Sequence, residues 1–151
     1  MNSDFQLLLQ TRKNMLGRLE GLSLDQLNAI PAGFNNSLIW NAAHVLVTQQ
    51  LLVYKNSGLT PLVSADWIAA YRKGTRPEAP MDAASWEEVK SQLLSRVSES
   101  WEAYERGDFR AYTPYSTSFG YRIEDVDDAL RFNNIHEAMH LGNVISMSKL
   151  V

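Results

Sequence analysis

Apolar residues recur along this chain at intervals of three and four, the spacing that lines one face of an α-helix, and almost nowhere alternate with the period of a strand. The first such stretch runs from about Asp4 to Glu20, with Phe5, Leu8, Leu9, Met15, Leu16 and Leu19 as its stripe and Gly21 as its stop. Ser23-Leu24-Asp25-Gln26 has capping-box spacing and predicts a turn or two of helix. After Pro31-Ala32-Gly33 and Asn35-Asn36, a second long helix is expected from near Ser37 to about Tyr54, before Gly58 and Pro61. Its inward face would carry Trp40, His44, Val47, Thr48 and Leu51. A second capping box, Ser85-Trp86-Glu87-Glu88, opens a helix that runs to about Glu105 and ends at Gly107. The last helix is expected from about Ile123 to Ser148, after an aromatic, hydroxyl-rich loop that holds Tyr112, Tyr115 and Phe119.

Connection lengths then suggest a topology. The segment from about Lys55 to Ala84 contains Gly74, three prolines and a short helical stretch around Asp66 to Arg72. A crossover of that length lets the helices on either side run parallel, while the shorter connections before and after it join antiparallel partners. The expected fold is all-α, an up-down-down-up four-helix bundle with a long crossover between its second and third helices. At 151 residues it is read as one domain over its whole length, large enough to bury a substantial core.

Composition narrows the function. A hydrophobic fraction of 45% with 21% charged residues is that of an ordinary globular chain, and a net charge of -3 with scattered basic residues argues against a nucleic-acid partner. No apolar run approaches the roughly 18 residues that would suggest a bilayer span, and no N-terminal leader pattern is evident. No membrane partner is expected, and the cytoplasm is the default location. The absence of cysteine excludes disulfides, a cysteine-based zinc site and a cysteine nucleophile. Any metal site must use histidine, carboxylate and water.

There are three histidines. Two occur in His136-Glu137-Ala138-Met139-His140, and residues four apart on a helix lie one above the other, so both imidazoles can grip one ion. Counted at 100° per residue from His136, the same face holds Ala129, Phe132, Asn133, Met139, His140, Asn143 and Met147. Two amides on an inward face need hydrogen-bond partners, which a polar pocket would provide, with Asn133 and Asn143 supporting the ligands or facing substrate. His44, on the inward face of the second helix, is the available third imidazole. A His-Glu-x-x-His string also invites a zinc-peptidase reading with Glu137 as general base. That reading lacks its usual downstream ligand, because Leu141 to Val151 contain no His, Asp or Glu. Histidines hydrogen-bonded within a metal-free core are the remaining alternative.

The run Asn35-Asn36-Ser37-Leu38-Ile39-Trp40-Asn41-Ala42-Ala43-His44, followed by Thr48-Gln49-Gln50, resembles the first-histidine segment of the DinB-like superfamily. The stretch from Leu130 through His136 and His140 to Gly142-Asn143-Val144 is similar to its second segment, except that Asn143 stands where glutamine is usual. The resemblance implies a bundle of this topology, often dimeric, whose His44, His136 and His140 hold a divalent ion such as zinc or nickel. It also implies a small-molecule substrate, with thiol-dependent S-transfer or isomerisation known in some members and a low-molecular-weight thiol as cosubstrate. Three imidazoles leave positions open on such an ion for water or a thiol, so a hydrolase is expected as well as an S-transferase. Glu137 is then the candidate catalytic carboxylate or an interhelical ion-pair partner, and Trp40, Thr48, Tyr112 and Tyr115, with the two amides, are candidates to line the pocket. A structural metal in a non-catalytic bundle dimer is the competing class.

Overall fold

A computed structural model describes residues 1–151, and it contains six α-helices rather than four: α1 (Ser3–Leu19), α2 (Leu24–Asn28), α3 (Leu38–Gln49), α4 (Ala65–Tyr71), α5 (Ala83–Arg106) and α6 (Val126–Met147). Four are long enough to frame the core. The short α2 and α4 arise where Ser23 and Ser64 accept the backbone N–H groups of Gln26 and Trp67, local caps that start a helix regardless of what lies above it. In α2 the capping box closes in both directions, with Gln26 returning a bond to the Ser23 amide.

Two long helices start elsewhere than their patterns suggest. Asp82, not Ser85, caps α5: its carboxylate accepts the Ser85 amide at 2.7 Å, which draws Ser85 inside the first turn. Gly107, with φ of 74°, ends that helix in the left-handed conformation that glycine adopts without penalty. α6 begins at Val126 behind Asp125, while Ile123 belongs to a small antiparallel hairpin of β1 (Tyr115–Ser116) and β2 (Arg122–Ile123). Beyond Gln49, α3 continues as a π-helical turn at Gln50–Tyr54 and a 3-10 turn at Lys55–Ser57. There the Gln50 side chain accepts the Leu62 amide through Oε1 at 2.8 Å.

α1 packs on α5 and α6, and α3 packs on the same two helices from the other side. The core divides into two apolar clusters. One gathers Met15 and Leu19 of α1, Leu38, Ile39, Ala42, Ala43, Val45, Leu46 and Val47 of α3, Val89 and Leu93 of α5, and Val144 and Met147 of α6. The other gathers Phe5 and Leu8, Leu52 and Val53, Val97 and Ala103, and Leu130 and Phe132. α1 and α6 therefore run from the second cluster toward the first, and α3 and α5 run the opposite way. At the level where the clusters meet, each long helix turns polar inside: Arg12 on α1, Gln49 at the end of α3, Ser100 on α5, and Asn133 and Glu137 on α6, all fully buried. No helix is long and apolar enough to cross a membrane.

Candidate metal centre

The polar level contains two separate arrangements. In the first, Arg12 and Glu137 form a fully buried ion pair with Nη2 to Oε1 at 2.8 Å and Nε to Oε2 at 3.0 Å. Arg12 Nη1 donates to the Leu93 carbonyl at 2.9 Å and Asn133 Nδ2 donates to Glu137 Oε1 at 2.9 Å. A charge-assisted fork of this kind satisfies most of what it buries.

The second arrangement is histidine. Trp40, His44 and Thr48 follow one another at four-residue intervals on α3. The Trp40 indole lies flat against the His44 imidazole, with centroids 4.6 Å apart and planes 11° apart. The last residue of α4 supplies the partner for His44. A helix C-terminus leaves its carbonyls unpaired, and the Tyr71 carbonyl accepts the His44 Nδ1–H at 2.6 Å. With its proton fixed there, His44 presents the Nε2 lone pair to the cluster. His140 is held in the same way: Asn41 donates its Nδ2–H to the Ser37 carbonyl at 2.8 Å, which turns Oδ1 toward His140 Nδ1 at 2.7 Å. His136 completes the group, its Nε2 standing 3.2 Å from His44 Nε2.

Three imidazoles thus offer ligand atoms within 4.8 Å of one another, His44 buried and His136 and His140 half-buried. The donor set fits a divalent ion. Two nitrogens on one tetrahedral ion at roughly 2.0–2.1 Å stand about 3.3 Å apart, close to the observed spacing of His44 and His136. Electrostatics favour the neutral, ligand-ready rings. Burial pushes the His136 pKa down to about 2, with the nearby charges of His140 and His44 adding to the effect. Burial and then His44 lower His140 to about 4. His44 is also lowered by burial, against the opposing pull of the Tyr71 carbonyl. No carboxylate joins the three histidines.

The other predicted residues fall in different places. Trp40 and Thr48 are at the site, the Thr48 hydroxyl 3.3 Å from His44 Nε2. Glu137 takes the interhelical ion-pair role rather than facing the imidazoles as a free base, because its oxygens are occupied by Arg12 and Asn133. Asn143 is exposed rather than inward. Both results have one cause: the buried line of α6 runs through Leu130, Asn133, Glu137, Val144 and Met147, about one residue away from a face centred on His136. The histidines consequently sit at the edge of the bundle face, where solvent reaches them. Tyr112 is committed to the scaffold, donating to the Leu52 carbonyl at 2.9 Å and accepting from Asn56, and Tyr115 is exposed on β1.

Sequence reasoning passed over Arg12, Asn41, the Tyr71 carbonyl and Tyr121. Arg12 had a signal, since it fills the gap in the α1 stripe between Leu8 and Met15. Asn41 lies next to Trp40 and only three residues before His44. A backbone carbonyl carries no side-chain signature. Tyr121 and Phe119 of the hairpin pack on Phe132, with centroids 6.3 and 6.0 Å away, one turn before His136. Lys73, just beyond α4, bonds Ser118 in the hairpin turn. A cavity of about 530 Å³ is lined by Trp40 and Tyr71 but by none of the histidines.

A helical core with a three-histidine cluster open at its edge defines a class of metal-binding helical proteins. A family model described as the DinB superfamily matches residues 7–144, and the chain belongs to that superfamily. No curated protein matches the chain.

Proposed function

We infer that this protein is a divalent-metal-dependent enzyme acting on a small molecule, with His44, His136 and His140 as its ligands. The observation that carries this is the anchoring of the rings. Tyr71 and Asn41 hold the Nδ1 protons of His44 and His140, so both Nε2 lone pairs face one point beside His136. A purely structural core has no need to converge two ring acceptors on one point, since each buried acceptor does better with a donor of its own.

An ion held there supplies a Lewis acid for an oxygen or sulfur atom of the substrate. The chain's own residues do the rest. Trp40 covers one face of His44 and excludes water from it, and Thr48 offers a hydroxyl at the mouth for orienting a bound molecule. Glu137 belongs to the scaffold in this reading, leaving proton transfer to groups of the substrate. The absence of a fourth protein ligand, carboxylate or imidazole, from the cluster favours an open, catalytic centre over a closed structural one. We extend the reading to zinc or nickel as the ion, to an up-down-down-up arrangement of the four long helices as one domain, and to a low-molecular-weight thiol as cosubstrate of a homodimeric transferase. Superfamily membership supports these extensions.

Metal content of tag-free protein, measured by elemental mass spectrometry beside a His136→Ala/His140→Ala variant, tests the inference. Near-stoichiometric zinc or nickel in the wild type and none in the variant is the expected result. Equal content in both, or none in the wild type after reconstitution, would sink it.

A further inference from the structure

His136 differs from the other two imidazoles in one respect: its Nδ1 is buried and has no hydrogen-bond partner. One turn earlier on α6, Asn133 is fully buried, and its Oδ1 also lacks a partner. The orientation of that amide is determined by its neighbour. Glu137 can only accept, so the NH2 group must face it, at 2.9 Å, and Oδ1 is turned away. Residues three apart on a helix are surface neighbours, their Cβ atoms about 5–6 Å apart. A buried nitrogen and a buried oxygen, each unpartnered, therefore belong to neighbouring side chains about one turn apart on α6.

The two can pair only in one tautomer of His136. His44 carries its proton on Nδ1, against the Tyr71 carbonyl, so its Nε2 is a bare acceptor. The 3.2 Å contact between His44 Nε2 and His136 Nε2 then needs the proton of His136 on Nε2. That leaves His136 Nδ1 as a second bare acceptor, beside the Asn133 acceptor, with nothing for the two to share. A cation on Nε2 reverses the tautomer. The proton moves to Nδ1, and a donor now stands beside an acceptor.

We propose that Asn133 is the positioning residue for His136: its Oδ1 takes the Nδ1–H of the metal-holding ring, directly or through one trapped water. The buried pair of Arg12 and Glu137 has a second task, to hold the amide so that Oδ1 is the atom presented to the ring. His136 thereby gains the counterpart of what Tyr71 gives His44 and Asn41 gives His140, and orienting partners of this kind set ligand affinity. The inference rests on the three-histidine metal reading, and goes beyond it by assigning a ligand-orienting role to a residue that touches neither ion nor substrate.

The test uses full-length, isotopically labelled protein loaded with zinc, and follows the ring N–H signals by NMR. In the wild type, three Nδ1–H protons protected from exchange are expected, that of His136 among them. In Asn133→Leu the His136 signal should exchange rapidly while those of His44 and His140 persist, and zinc affinity in a chelator competition should fall about 10- to 100-fold. A residue that merely fills the core would not change one ring signal selectively. An Asn133→Leu protein with the protected His136 proton and unaltered zinc affinity overturns the proposal. So does a zinc-loaded wild type whose His136 Nδ1–H exchanges like a free imidazole, a measurement that decides the matter even if the variant does not fold. A wild type that takes up no zinc overturns the metal reading itself, an outcome distinct from a wild type and variant that bind equally well.

Discussion

Two polar clusters share the middle of this bundle and meet on α6, yet they are built on opposite terms. Around Arg12 and Glu137, charges are matched and nearly every donor and acceptor is used inside the protein; both side chains have no exposed surface. Around the histidines, the anchoring bonds of His44 and His140 point outward from the cluster and their lone pairs point in, and two of the three rings are half-buried. A cluster that completes itself is a strut, and one that leaves its acceptors converging is a receptor for a cation. The Glu of the His-Glu-x-x-His string belongs to the first cluster and its histidines to the second. Adjacent residues on a helix point about 100° apart, and that angle is enough to divide one motif between two purposes.

Substitution should separate the two clusters most sharply. Arg12→Met removes one partner of a buried pair and leaves Glu137 with an uncompensated charge, at an expected cost of about 3–5 kcal/mol in denaturant unfolding. His140→Ala, at a half-buried ring, should cost the metal-free protein about 1 kcal/mol or less. Similar losses from the two would mean that the histidines are structural too.

Next in size is the effect of anchoring. Asn41→Leu removes the acceptor for His140 Nδ1–H and should weaken zinc or nickel binding about 10- to 100-fold. Isothermal titration would show this, and an unchanged affinity would mean that His140 needs no orienting partner.

Acidity gives the mildest effect. In the unfolded chain these histidines titrate near 6.5, whereas in the folded protein His140 is lowered to about 4 and His136 to about 2. Between those values the unfolded state binds more protons, so stability rises with pH. The metal-free protein should therefore be at full strength above about pH 6.5 and lose stability progressively as the pH falls toward 4 and below. Its slope should flatten in His136→Ala/His140→Ala, as thermal melts across that range would show. An identical slope in the variant would assign the acid sensitivity to other groups.

Much of the candidate site was legible before any coordinates. His44, His136 and His140 stand out because they are the whole histidine complement, and helical spacing alone stacks two of them. The long helices were legible from apolar periodicity, since that pattern is itself the record of one buried face. The angular position of the face was not. A count centred on His136 placed Asn143 inside and left Glu137 off the face, because periodicity locates a stripe only to within about one residue when polar groups are part of it. Arg12 escaped for a related reason: a charged residue within an apolar stripe reads as an interruption until its partner, 125 positions away, is seen to reach it.

By itself, then, the sequence determined the class of fold, the identity of the three imidazoles and the exclusion of cysteine chemistry, all of which follow from local periodicity and residue inventory. Tertiary structure alone decided which of the adjacent polar residues on α6 became strut and which became receptor. It also decided which nitrogen of His44 and of His140 is free, because a ring's tautomer follows from the partner on its other nitrogen. Those partners are the Tyr71 carbonyl at the end of a short helix and an amide on a different long helix. Only packing between distant segments brings them within hydrogen-bonding reach.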